Sequence, residues 1–202
     1  VTAMTSMDGS SHPPLVPPGM FDPTVQRSRV TEGTKRANQL FASGLEHYAA
    51  SATAHLTDKK PFDIPMLSPF PPLLRVYMFT LTTHPSERQE GAYRIQITLP
   101  QQRRHFDTTD DPFLILAGYE PNLEVFALWD ALAHDEGQGI THSKGVQIRE
   151  ETLLTALSQG VACQRRTLRR SGDTETVVAA RPDALPEALE LRWQLSLERL
   201  TS

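Results

Sequence analysis

The chain has 202 residues, of which 39% are apolar and 22% charged, and its formal net charge is −4. That composition supports a buried core and excludes global disorder, and the acidic balance excludes a protein that coats nucleic acid indiscriminately. The single cysteine, Cys163, excludes an internal disulfide framework and a multi-cysteine zinc site, and no apolar run approaches the ~20 residues of a membrane span.

Residues 1–30 read as a proline-rich disordered tail, because Pro13-Pro14 and Pro17-Pro18-Gly19 prevent helix and strand alike. Its opening has no cationic start and no apolar centre, so no secretory signal is expected and the expected location is the cytoplasm. Residues 31–72 read as one helix and a proline-rich connector. Ala37, Leu40, Phe41, Leu45, Tyr48, Ala52 and Leu56 recur at three-to-four spacing and predict a helix from Glu32 to Leu56, weakened at Gly44. Pro61, Pro65, Pro69, Pro71 and Pro72 predict an extended connector that cannot be a central strand.

The compact part is expected over residues 73–202. Leu73 to Leu81 reads as a strand buried on both faces. Tyr93 to Leu99 alternates, with Tyr93, Ile95, Ile97 and Leu99 toward a core and Arg94, Gln96 and Thr98 on the other face. Phe113–Tyr119 and Leu123–Trp129 flank Glu120-Pro121-Asn122 as a hairpin. Val146–Arg149 is a short strand, Glu150-Glu151 opens a helix and Gly160 closes it. Val161–Leu168 and Glu175–Arg181 form a second hairpin around Ser171-Gly172-Asp173. Asp183 is expected to cap a last helix with Leu185, Leu189, Trp193, Leu197 and Leu200 as its apolar stripe. Cys163, within a strand, is expected to be an inert packed thiol. The order of elements predicts an α+β fold: a largely antiparallel mixed sheet of about six to seven strands with helices packed on it.

Charge is unevenly spread. Residues 101–145 are dominated by carboxylates, while Arg165, Arg166, Arg169 and Arg170 crowd the second hairpin. Arginine and glutamine contact phosphates and read guanine and adenine edges. Arg94, Gln96, Gln147, Arg149, Arg165, Arg166, Arg169 and Arg170 are therefore the candidate nucleic-acid contacts. An ordinary solvated sheet face accounts for the same residues and stays open at this point. Hard cations take oxygen ligands, so Asp107, Asp110 and Asp111 are the candidates for a magnesium ion. A His134/His142 pair with Asp135 or Glu136 is a further metal candidate. The only acid-x-lysine triplet, Asp58-Lys59-Lys60, lies in a linker rather than on a strand. No phosphate-binding glycine loop, dinucleotide fingerprint or G-x-S-x-G is present.

Several short pieces, in order, carry a resemblance. They are Phe79-Thr80-Leu81-Thr82 with His84-Pro85, Tyr93-Arg94-Ile95-Gln96, Leu116-Ala117-Gly118-Tyr119, Val125-Phe126-Ala127-Leu128-Trp129-Asp130, Ser143-Lys144-Gly145-Val146-Gln147-Ile148-Arg149-Glu150-Glu151-Thr152-Leu153, and Val177-Val178-Ala179-Ala180-Arg181-Pro182-Asp183. From Leu73 to Leu191 the chain resembles the small methylase-associated domain found with DNA methylases and restriction endonucleases in bacterial restriction–modification loci. The family pattern places an acid directly before the tyrosine. Here that position is Ala92, with Glu90 two residues from it.

The resemblance implies a DNA-recognition or accessory component of a restriction–modification or anti-phage system. Double-stranded DNA and a methylase or other defence subunit would be its partners, with no cofactor. A homodimer would suit palindromic DNA. A metal-dependent endonuclease is the alternative, with Asp130, Lys144 and Glu90 as the catalytic candidates, Glu87 and Glu124 beside them, and magnesium as cofactor. A non-catalytic protein-interaction subunit is the third reading.

Overall fold

Strands that are apolar on both faces must be covered on both faces, and the central strands of this chain are of that kind. The structure is a computed structural model that describes residues 27–51, 57–83, 91–100, 104–135, 137, 139–140, 143–168, 172 and 174–201. In chain order the elements are β1 (Ser28–Arg29), α1 (Glu32–Gly44), a 3-10 turn (Glu46–Tyr48), β2 (Lys59–Lys60), β3 (Phe62–Pro65), β4 (Leu73–Thr80), β5 (Ala92–Ile97), β6 (Phe113–Glu120) and β7 (Val125–Asp130). A 3-10 turn (Leu132–His134), β8 (Lys144–Arg149), α2 (Glu150–Gln159), β9 (Val161–Thr167), β10 (Thr174–Ala180), a 3-10 turn (Pro182–Ala184) and α3 (Leu185–Thr201) follow.

Six strands form one mixed sheet in the order β3-β4-β6-β7-β10-β9. The β4–β6 pair is parallel and the other pairs are antiparallel. β5 does not enter this sheet; it pairs with β8 as a separate antiparallel ribbon. The fold is α+β, as the order of elements predicts.

Alternation along the strands divides the core into two layers. Val76, Met78, Ile115, Phe126, Leu128 and Val178 face α1 and α3, meeting Phe41, Leu45, Leu185 and Leu189. Tyr77, Leu116, Ala127, Trp129 and Val177 face the opposite way, toward Ile95, Ile97, Val146 and Ile148 of the ribbon and Leu153 and Ala156 of α2. Gly118 lies where the ribbon comes closest: a Cβ there would stand 2.7 Å from Ile95 Cγ2.

Five local expectations change. α1 ends at Gly44 rather than near residue 56, because the chain turns into α3's approach; a Cβ on Gly44 would meet the Pro182 carbonyl oxygen at 2.5 Å. Residues 52–56 lie outside the described residues. The proline-rich connector is not a spacer: β3 is buried throughout and pairs with β4. It takes the edge position, where Pro65 removes no ladder bond from a neighbour. The predicted stripe of α3 holds only at its start. Leu185, Ala188, Leu189, Arg192 and Ser196 are buried, while Leu197 is 48% and Leu200 65% exposed. With 3.6 residues per turn, a strict four-residue spacing drifts round the helix by about 40° a step, so its later leucines leave the core. Asp183 is spent on a bidentate pair with Arg181, at 3.0 Å for both bonds, within the 3-10 turn that precedes α3. Finally, Cys163 is exposed, not packed.

Candidate nucleic-acid interface

The ribbon sets the geometry. Its register places Arg94 directly opposite Gln147, Gln96 opposite Gly145 and Ala92 opposite Arg149. Residues two apart on a strand share a face, so Arg94, Gln96, Gln147 and Arg149 lie together on the side away from Ile95, Ile97, Val146 and Ile148. Gln96 and Arg149 are exposed; Arg94 and Gln147 are half-buried. Gln96 Nε2 donates to Ser143 Oγ at 2.9 Å. The backbone of Arg94 exchanges two 2.9 Å hydrogen bonds with Thr82, which holds the β5 side of the ribbon in place.

The other side of the ribbon is tied to the main sheet by side chains. Gln164 Oε1 accepts from the Arg149 N–H at 2.7 Å, and Arg166 Nη1 donates to the Gln147 carbonyl at 2.8 Å. These bonds take up two of the outward backbone groups of β8, which no described strand covers. Arg166 also lies 3.4 Å from Glu175, whose other oxygen is 2.9 Å from His134 Nε2. Arg166 is thus largely spent in holding the ribbon. Arg165 is exposed, but it neighbours Arg166 on the strand and so projects from the opposite face of β9. Arg169, Arg170 and Glu90 lie outside the described residues, as do Glu87, Glu136 and His142.

The candidate catalytic pair meets at one turn. Asp130 Oδ1 accepts from the N–H groups of Leu132 and Ala133 at 3.0 and 3.4 Å, capping the 3-10 turn. Its Oδ2 takes Arg199 Nε at 2.8 Å, with Arg192 at 4.0 Å. Burial alone would raise the Asp130 carboxyl, but the hydrogen bond and charge of Arg199, with Arg192 behind it, hold it below the ordinary carboxylate range. Lys144 Nζ donates to the His134 carbonyl at the other end of the same turn, at 2.9 Å. Both side chains therefore brace this turn.

The acidic candidates for a metal are separated in the same way. Asp107 is buried and stands 3.4 Å from Arg75, while accepting from the Thr109 N–H at 3.0 Å. Arg75 is itself fully buried and makes a bidentate pair with Asp63 at 2.9 and 3.0 Å. Asp110 and Asp111 are exposed, in the left-handed turn that follows. Asp135 is taken by His105 at 2.8 Å and by the Phe106 N–H at 2.9 Å. Among the described residues no group of three or more His, Cys, Asp or Glu side chains is placed to hold a metal ion. Sequence reasoning missed Glu175, Arg192 and Arg199; their partners lie 16 to 69 residues away, and no local pattern marks them.

An α+β domain with a braced, polar two-stranded ribbon on one sheet face is the class that this architecture defines. Within that class, residues 72–189 match the family described as Methylase-associated X1. The match covers more than half of the chain, and the chain belongs to this family. No curated protein and no solved structure matches it. No described helix is long and apolar enough to cross a membrane.

Proposed function

We propose that this chain is a DNA-recognition or accessory component of a bacterial restriction–modification or anti-phage system, working in the cytoplasm beside a methylase. The reading rests on one observation: the β5–β8 register gathers Arg94, Gln96, Gln147 and Arg149 on one outward ribbon face. A two-stranded ribbon fits the major groove, where arginine pairs with guanine and glutamine with adenine through two bonds each. The family's association with methylases supports the biological setting. The brace from Gln164 and Arg166 supports it physically, since a reading face must be held in one orientation to discriminate bases.

The test is fluorescence anisotropy of methylated and unmethylated duplexes across a salt series, with magnesium and with EDTA. Log affinity should fall linearly with log salt, and Arg94→Ala and Arg149→Ala should each flatten the slope by up to about 0.9 per lost phosphate contact, or relax base preference if the contact is to a base edge. No cleavage is expected in either buffer. Absence of binding at low salt would sink the reading. Magnesium-dependent cleavage would replace it with an endonuclease.

A further inference from the structure

Where β5 runs out, the chain borders a half-open hollow of about 290 Å³. Ser28, Thr31, Thr34 and Thr98 bring hydroxyls to it, Lys60 and Arg29 bring positive charge, and no described carboxylate lines it. Lys60 is half-buried, with its ammonium 3.9 Å over the ring of Phe79. No described carboxylate pairs with it, in contrast to Lys59, which lies 3.8 Å from Asp58. Burial pushes the Lys60 pKa down. A desolvated cation without a counter-charge is costly, and a bound anion removes that cost.

The hydroxyls indicate which anion. Thr31 Oγ1 and Thr34 Oγ1 stand 3.2 Å apart, so one donates to the other and leaves one proton free to donate outward. Hydroxyls and an ammonium are the donors that phosphate oxygens commonly receive in protein–DNA contacts. The hollow also continues the proposed reading face: Thr98 is the next outward residue after Arg94 and Gln96. At ~3.4 Å per residue it lies about 14 Å from Arg94, close to the ~12 Å width of a major groove.

We propose that this hollow is a phosphate-binding subsite, with Lys60 as its charged donor and the Thr31, Thr34 and Thr98 hydroxyls around it. Resting on the DNA reading above, its phosphate is one of the duplex backbone, gripped beside the groove that the ribbon enters.

Two measurements on the full chain separate the subsite from that reading. The first is the effect of inorganic phosphate on the melting temperature, against chloride at equal ionic strength. Phosphate should raise the melting temperature of the parent chain and of Lys59→Gln, and should not raise that of Lys60→Gln or Thr98→Asp. Thr98 is exposed, so its variant keeps the fold if Lys60→Gln does not. The second is the salt slope of duplex binding, which Lys60→Gln should flatten by about 0.9 while Lys59→Gln leaves it unchanged. Equal responses to phosphate in all four proteins would overturn the subsite. Duplex binding that needs Arg94 but has the same slope in Lys60→Gln would overturn it and keep the DNA reading. A Lys60-dependent phosphate effect without any duplex binding would keep the subsite and discard the DNA reading.

Discussion

Asp130 shows how one side chain can hold three elements. It ends β7, caps the turn after it, and pairs with Arg199 near the end of α3. Its carboxyl is held below the ordinary range in the folded chain, whereas in the unfolded chain it titrates near ~3.9. The sign follows: the folded state binds a proton less readily than the unfolded state, so the ion pair's contribution is fully present above about pH 3.9 and is lost as pH falls through the folded value. Asp130→Asn should therefore lower stability at neutral pH and remove part of the loss seen on acidification. Urea unfolding at neutral pH and at a series of acid pH values measures both. A variant as stable as the parent at neutral pH would show that Arg192 and Arg199 do not depend on it. Arg192 also donates to the Thr176 carbonyl, so it keeps one partner in the variant.

At the scale of elements, the ribbon is the part whose position matters most. It is not hydrogen-bonded into the main sheet as a strand; it rests on Leu116, Gly118 and Trp129 through Ile95, Ile97, Val146 and Ile148. Gly118→Val should lift it. The added side chain meets Ile95 and Leu81 at 2.7 to 3.0 Å from its first carbon alone, and overpacking of this kind costs about 1–3 kcal/mol. The urea midpoint should fall accordingly, and duplex affinity should fall with it; an unchanged midpoint would mean that the ribbon tolerates displacement. The faces of this element were legible from the sequence, because Tyr93 to Leu99 alternates and alternation is local. Which strand would pair with it was not legible: β8 begins 47 residues after Ile97, and nothing in either strand names the other. The same reason hid the roles of Asp130 and Lys144. Their residue types fit a catalytic pair, but their partners are set by the packing of α3 and of the turn at His134. α3 itself shows a helix whose apolar spacing was read correctly while its buried face was not, since Arg192 and Ser196 occupy the core side where Trp193 and Leu197 were expected.

For the whole molecule, the core does not begin where the family match begins. Ala37, Phe41 and Leu45 of α1 and Phe62, Ile64, Met66 and Phe70 around β3 belong to the same apolar layer as Val76, Ile115 and Phe126. Phe41 stands edge-on to Phe62 at 6.2 Å and to Phe126 at 5.3 Å, joining the two parts. A fragment of residues 73–202 would open this layer to water and leave β4 as an unprotected edge. It should bind a hydrophobic dye and lack a cooperative thermal transition, whereas residues 27–202 should melt cooperatively. A cooperative transition in the shorter fragment would show that the matched region is sufficient for folding.

At the far side of the sheet, β9 pairs only with β10, and no described strand covers its outer side. Alternate residues of this seven-residue strand offer their backbone groups to any passing extended chain, and the strand carries two adjacent arginines, Arg165 and Arg166. Positive charge on a bare edge discourages a second copy from adding itself to the sheet. Arg165, the exposed one of the two, therefore acts against the pairing of this edge with a second copy. Salt screens such repulsion within a Debye length of about 8 Å at physiological strength. The colloidal behaviour of the chain is thus tied to the same ionic conditions that govern its attraction to a polyanion.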